Sequence, residues 1–505
     1  MRSSLMTSSP TSTGELGASS VSAPVFSPWS IRIPVLAWVL MSLPAFFVLP
    51  AGDDWRTSSP LFALEWNALR PNMLWRPFEP VVRRLIGFAA TMVYPSALHA
   101  LVIVGHAMTG FFVYRLLREA RTTAWAAGIA TALVLIFPGA GAAVWSVDSA
   151  VQTWSTGCGL WSVFLLATRR QHRWPLAWLA PAFLSMVWKE SGTAWPIAAP
   201  CLVALIGSWT QPLEWRRTCR ALTLGIGLLA CYLLIRTSLA QTGGIGAAAG
   251  RYSLSLSPVV LGRNFGMLGA VALLPIDTLA LLGSPRNLGL AATTAAAGIP
   301  LLLLCVWACI RTLGVARIFL ATASLVVIAV PHLVLEHVSE MYAHPLIAGA
   351  ALVFLPALCA FGIGRRVVTA GAACAFLGAL LSDAHKLTAM IEAGHSASDV
   401  GIRIVAEHAQ APRIICAVPA VNFPAGYSVF QISPGPASGW GASAQQAWGW
   451  SPRTEYLRLK SIEECQAQHS DVTVLFAADG AFTFVSVARQ RVSEQTTKDE
   501  PSKPD

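Results

Sequence analysis

Charge is scarce in this chain. Only 12% of its 505 residues are Asp, Glu, Lys or Arg, about half the share found in a typical soluble domain. That shortage excludes a protein that is soluble throughout. Metal-ligand spacing is also missing from the ten cysteines. Eight of them fall in apolar segments, where Cys behaves as a small hydrophobe. Cys416 and Cys465 lie in the C-terminal tail, and an extracytoplasmic tail would let them form a disulfide. An apolar leader is lacking too. Residues 1–30 are rich in Ser, Thr, Pro and Gly, too polar for a signal peptide, and they read as disordered. No convincing internal repeat is present, which argues against the repeat-built transporters.

What the chain does have is apolar sequence. Hydrophobic residues make up 55% of it, in blocks such as Leu222 to Ile235 and Val367 to Leu381. A membrane-spanning helix needs about 20 mostly apolar residues. The formal net charge of +10 is unevenly placed. Residues 383–505 hold 10 basic and 13 acidic residues, leaving 25 basic and 12 acidic residues in the first 382. Basic residues collect in cytoplasmic loops of membrane proteins, so the excess is a topological signal and not one for nucleic acid.

Five basic clusters punctuate the apolar blocks: Arg115/Arg118/Arg121, Arg169/Arg170/Arg173, Arg216/Arg217/Arg220, Arg311/Arg317 and Arg365/Arg366. Placing all five in the cytoplasm predicts about 11 transmembrane helices. They lie near 31–50, 96–117, 123–140, 151–168, 175–188, 192–208, 221–238, 288–310, 318–335, 345–363 and 367–382. The stretch 51–95 becomes a long outer loop. The stretch 239–287 reads as an outer loop with a re-entrant or interfacial helix, because its apolar run is broken by Arg263, Asn264, Pro275 and Asp277. The tail then falls outside. Its alternating stretches Arg413 to Val418, Tyr427 to Ile432, Val472 to Phe476 and Phe482 to Val487 predict a small α/β or β-rich domain. The resulting organisation is a disordered cytoplasmic 1–30, a membrane domain 31–382, an extracytoplasmic domain 383–492 and a disordered 493–505.

This topology sorts the acids. Before residue 383, only Glu15, Glu119 and Glu214 fall inside. Asp53, Asp54, Glu65, Glu79, Asp148, Glu190, Asp277, Glu336 and Glu340 all fall at or near the outer side. Acids contribute little to insertion, so their bias points to a functional outer face. Asp53-Asp54 can supply a base or hold a cation, or simply begin a hydrophilic loop. Lys189-Glu190 interrupts an apolar region, where ionisable residues are costly and usually functional. Lys189 suits phosphate as a point charge, while the plain alternative is a short turn whose two charges pair. His99 and His106 are seven apart and share a helix face. They either line a polar cavity or make interhelical hydrogen bonds. Asp148 stands near Trp145, Glu340 and Tyr342 precede the tenth helix, and Arg251-Tyr252 lies in another outer loop. Together these give one membrane face acids, bases and aromatics.

The order of these motifs resembles the GT-C superfamily of membrane glycosyltransferases, which use polyprenyl-phosphate sugar donors. The resemblance covers roughly residues 31–382 and is densest in 50–200. It rests on Asp53-Asp54 in the first outer loop, then Trp75-Arg76-Pro77-Phe78 and the helix from Leu98-His99 through His106 to Tyr114. Trp145-Ser146-Val147-Asp148, Trp188-Lys189-Glu190-Ser191 before Pro196, and Glu340-Met341-Tyr342-Ala343-His344-Pro345 follow. Three departures are visible: Phe137-Pro138 stands where relatives often carry His-Pro, Gly139 to Val144 lack the Glu that precedes the loop Trp there, and Met341 stands where they carry Arg. The resemblance implies inverting transfer of a sugar from a polyprenyl-phosphate donor to an extracytoplasmic glycan, lipid or protein. Asp53 or Asp54 would act as base. Lys189, Glu190 and Arg251 would bind the donor, Lys189 with Arg251 at its phosphate. Asp148, Glu340, Tyr342, His99 and His106 would bind sugar or acceptor. No cofactor is required, with a divalent cation (Mg or Mn) at Asp53 and Asp54 as an optional one. A bacterial inner membrane suits the short loops. A lipid-linked sugar flippase and a non-catalytic membrane scaffold are the rival readings.

Overall fold

The computed structural model describes residues 28–49, 78, 81, 85, 99–168, 175–209, 212–239, 254–283, 287–336, 338–407, 414–418, 427–428, 455–476 and 482–485. The helices, in order, are α1 (Trp29–Ala45), α2 (Ala100–Glu119), α3 (Ala124–Ile136), α4 (Pro138–Val144), α5 (Ala150–Thr168), α6 (Leu179–Trp188) and α7 (Trp195–Ser208). There follow α8 (Trp215–Leu239), α9 (Pro258–Leu273), α10 (Thr278–Gly283), α11 (Leu288–Thr312), α12 (Val315–Leu333), α13 (His344–Ala360) and α14 (Arg365–Glu407). The C-terminal part adds the short helix α15 (Ile462–Ala467).

Local sequence sets many of these ends. Thr123 caps α3, its hydroxyl accepting from the Ala126 amide at 3.3 Å. Proline starts α4 (Pro138) and α9 (Pro258) and stands in the first turn of α7 (Pro196) and α13 (Pro345), positions where its missing N–H costs nothing.

Among the described residues, seven helical stretches are long and apolar enough to cross a membrane: α2, α8, α11, α12, the first part of α14, and α7 and α13 with their leading turns. The chain is therefore a multi-pass membrane protein. Four further apolar helices, α1, α3, α6 and α9, are shorter, at 10–17 residues. At 1.5 Å per residue none of the four covers a hydrocarbon core of about 30 Å. Of the 11 expected spans, seven coincide with these long apolar helices; those near 31–50, 123–140 and 175–188 are the shorter α1, α3 and α6, and that near 151–168 is α5, 19 residues long but outside the seven. α9, at 16 residues, fits the interfacial or re-entrant segment expected in 239–287.

The helices divide by burial. α13 and α7 are the centre, 78% and 72% buried, while α8 and α11 are 22% buried. The outer helices present Leu234, Leu303, Ile310 and Phe319 outward, the belt that hydrocarbon would cover. α7 meets α5 closely enough that a Cβ on Gly159 would collide with the indole of Trp195.

The basic clusters gather at one end of the bundle. Glu119, Arg121, Ala167, Ser208 and Arg217 line one cavity. Arg317 donates to the Ser208 carbonyl at 2.7 Å, and Arg365 sits over the Trp125 ring. Four of the five clusters thus share a face or neighbour it; Arg169, Arg170 and Arg173 lie outside the described residues. Glu119 and Glu214 stand on this basic face, as expected.

α14 corrects one expectation. The apolar run ends at Leu381, yet the helix continues to Glu407, 43 residues in all. That is about 65 Å, twice a hydrocarbon core, so its second half projects from the opposite face. Ser382-Asp383-Ala384-His385-Lys386 looks like the water-side start of a tail, but Asp383 and Lys386 are buried against the bundle.

α14 leads to a small α/β domain. Its sheet runs in the order β4 (Glu455–Arg458), β2 (Ile414–Val418), β5 (Val472–Phe476), β6 (Phe482–Val485). β2 is parallel to β4 and β5, and β6 closes antiparallel to β5. Strand β4 is absent from the alternating stretches above because polar Glu455 and Arg458 flank only two apolar residues. Cys416 in β2 and Cys465 in α15 form the expected disulfide, with Cα atoms 5.7 Å apart. A second contact ties this part to the membrane domain. β3 (Tyr427–Ser428) pairs in parallel with β1 (Val338–Ser339), two residues that lead directly into Glu340.

Candidate functional site

The short helical turn Glu340–Ala343 joins β1 to α13 on the face opposite the basic clusters. Each of its residues reaches a different element. Glu340 is fully buried. One carboxylate oxygen pairs with Lys386 of α14, and the other accepts from the Thr278 hydroxyl of α10 at 2.8 Å. Met341 lies with its sulfur 3.6 Å from the Ser149 hydroxyl and 4.0 Å from Lys189 Nζ. The Tyr342 ring stacks on His332 of α12, with centroids 4.3 Å apart, and has Lys189 Nζ above it at 4.9 Å. His344, next in the chain, faces His106 of α2 at 3.3 Å.

Lys189 owes its position to a break between α6 and α7. The chain goes extended at Lys189 before the turn Glu190–Ala194, so the side chain enters the bundle at the end of α6 and is 4% exposed. Glu190 faces Arg236 of α8 at 3.7 Å, a partner outside the Lys-Glu turn that adjacency alone suggests. The turn Val147–Ser149 carries Asp148 in its backbone, beside Met341 through Ser149.

The two candidate histidines make interhelical hydrogen bonds. His99 lies between the carbonyls of Val48 and Val144, at 3.3 and 3.4 Å. His106 bonds the Leu135 carbonyl at 3.0 Å in addition to His344. Both are fully buried and stitch the ends of α1, α3 and α4 to α2. Trp145 does the same, its indole N–H donating to the Met41 carbonyl at 3.0 Å.

The sequence reasoning missed a polar layer beside the turn. Asp277, fully buried, accepts from His385 at 2.7 Å and from the Ala280 amide at 2.8 Å. Asp383 is 4% exposed, and neither carboxylate oxygen has a hydrogen-bond partner among the described residues. One oxygen points at the backbone of Gly141, where a Cβ would come within 2.7 Å of it. Three acids, Asp277, Glu340 and Asp383, thus surround Lys386 and His385. The signal was present: Asp383 and Lys386 are three apart and share a helix face, and ionisable groups at membrane depth are seldom idle.

Among the described residues no group of three or more His, Cys, Asp or Glu side chains is arranged to hold a metal. Asp53, Asp54, Arg251 and Tyr252 lie outside the described residues, as does the Trp75-Arg76-Pro77 segment. The chain leaves the described region at Leu49, whose carbonyl packs against Gly394 of α14, four residues before Asp53. The structure therefore brings together Lys189, Glu340 and Tyr342, places Asp148 next to them, links His106 through His344, and sets His99 and Glu190 to tie helices. No protein-family model matches this chain, and no curated protein matches it.

Proposed function

We propose that this protein is a membrane glycosyltransferase that moves a sugar from a polyprenyl-phosphate donor to an extracytoplasmic glycan, lipid or protein acceptor. The observation that carries the reading is the position of Lys189. Its ammonium stands over Tyr342, beside the Glu340–Ala343 turn, on the acid-bearing face of the membrane domain. A positive charge held inside that end of the bundle is what a lipid-linked phosphate entering there requires. The order of motifs supplies the reaction class.

In this reading the acceptor oxygen attacks the anomeric carbon as the carbon–oxygen bond to phosphate breaks. Asp53 or Asp54 takes the acceptor proton. Lys189, with Arg251, stabilises the negative charge that develops on the departing phosphate. Tyr342 is a positioning residue, since its ring fixes the lysine from below. Glu340 is one as well: with both oxygens engaged by Lys386 and Thr278, it anchors the turn. Asp148 is left to meet sugar or acceptor.

The test is transfer from labelled polyprenyl-phosphate sugars by purified protein in liposomes. Lys189→Met should lower kcat about 100-fold or more, the usual loss when a charge-stabilising donor is removed, and Lys189→Arg should restore part of it. Equal transfer by wild type and Lys189→Met would defeat the assignment. Movement of the lipid between leaflets without transfer would show a flippase instead.

A further inference from the structure

The opposite, basic end of the bundle holds a cavity of about 280 Å³ that the proposed reaction does not use. It opens where the ends of α2, α5, α7 and the start of α8 meet. Its walls are of two kinds. Leu166, Val203, Ile206 and Ala221 line the part along the helices, and two arginines and two glutamates line the rest: Arg121, Arg217, Glu119 and Glu214. Arg217 and Glu214 already face each other at 3.4 Å. A shallower depression next to it shares Glu214 and Arg217 and adds Trp215, Arg216 and Arg220.

Arg121 is unusual. It occupies the left-handed position that ends α2, with φ +58°. The Thr122 amide bonds the Leu117 carbonyl at 3.2 Å across it, the pattern that normally selects glycine. A side chain costs energy at such a position. Here that side chain is exposed, and it lines the cavity.

We infer that this cavity binds the head group of a phospholipid of the basic-face leaflet, with Arg121 on the phosphate and Glu119 on a primary ammonium. The residue types decide the class. A purely anionic head would leave two carboxylates against it, whereas a zwitterionic phosphoethanolamine matches arginine and glutamate together. The apolar lining from α5, α7 and α8 distinguishes a lipid from free phosphate, because it offers hydrocarbon a surface beside the charged groups. Trp215, in the neighbouring depression, is 45% exposed, and tryptophan favours the interface.

The experiment is native mass spectrometry of the full chain released from nanodiscs containing phosphatidylethanolamine, phosphatidylglycerol or phosphatidylcholine. Phosphatidylethanolamine should be retained preferentially. Arg121→Gly should reduce its retention about tenfold, the effect of one charge-assisted hydrogen bond. The same variant should unfold no earlier than wild type, because glycine relieves the left-handed turn. Glu119→Gln should bring phosphatidylethanolamine and phosphatidylglycerol to equal retention. Equal retention of the two lipids by wild type, or unchanged retention in both variants, overturns the inference. Displacement of the lipid by millimolar inorganic phosphate overturns the lipid assignment in favour of a phosphate site.

Discussion

Lys386 offers the most exacting test of the polar layer. Both it and Glu340 are fully buried, so neither charge is relieved by water. Replacing Lys386 with Met keeps the length and apolar stem but leaves the Glu340 carboxylate with only the Thr278 hydroxyl. Breaking a buried pair from one side costs about 3–5 kcal/mol, because the remaining charge is uncompensated. Asp383, three residues earlier on the same face, loses its nearest cation too, so the upper part of that range applies. Replacing both partners, Lys386→Met with Glu340→Met, removes the stranded charge. It should recover most of the loss, since apolar replacements of buried pairs are often neutral or better. The assay is a double-mutant cycle on thermal unfolding in nanodiscs, followed by the monodisperse fraction on size exclusion. The reasoning is refuted by a Lys386→Met protein as stable as wild type, or by a double variant whose loss equals the sum of the single losses.

Other perturbations test separate parts of the account. Gly159→Ala should destabilise the α5–α7 packing by about 1–3 kcal/mol, since the new methyl must displace the buried Trp195 ring; thermal unfolding reads this directly, and an unshifted midpoint would show a looser interface than described. Removing the Cys416–Cys465 bridge, which spans 49 residues, should cost the C-terminal domain about 4 kcal/mol on the loop-entropy account, seen as faster proteolysis within 414–485 while the membrane domain stays intact. Pro substituted for Ser339 removes an amide from the strand β1 that pairs with β3. It should lower transfer through the adjacent Glu340 turn and leave detergent stability almost unchanged. Equal turnover would detach the C-terminal domain from the site.

Much of the membrane architecture was legible in the chain. The apolar block predicted at 288–310 is the helix Leu288–Thr312, and that predicted at 318–335 is Val315–Leu333. Such agreement comes from long uniform runs whose ends are marked by arginine or a turn. The gathering of the arginine clusters at one end of the bundle was legible too, because each cluster is local in sequence and marks the end of an apolar run. The alternating strands Val472–Phe476 and Phe482–Val485 announced themselves by period, and the two tail cysteines by standing apart from the eight in apolar segments.

What was hidden is long-range and polar. Nothing in the local sequence says that Thr278, Glu340 and Lys386 meet, since they come from three elements more than 100 residues apart end to end. Asp383 and Lys386 resembled the start of a soluble tail because a polar stretch after an apolar run usually is one. Here an extra half of helix carries them along the bundle, where Asp277 and Glu340 wait. Glu190 was read with its neighbour Lys189 because adjacency in sequence was the only geometry available; the fold gave it Arg236 of α8. Short helices such as α3 and α6 were likewise hard to separate from full spans, as their apolar composition matches while their length does not.

The most direct measurement is the sidedness of the candidate site. Glu336, exposed just before β1, and Glu214, exposed beside the basic clusters, should be replaced one at a time by cysteine in a Cys219→Ser background. Each would be treated in intact cells with an impermeant maleimide. The account predicts labelling from outside at 336 and none at 214 until the cells are opened. Labelling at 214 from outside, with 336 protected, would put Lys189 and the Glu340–Ala343 turn in the cytoplasm and contradict the proposed extracytoplasmic transfer.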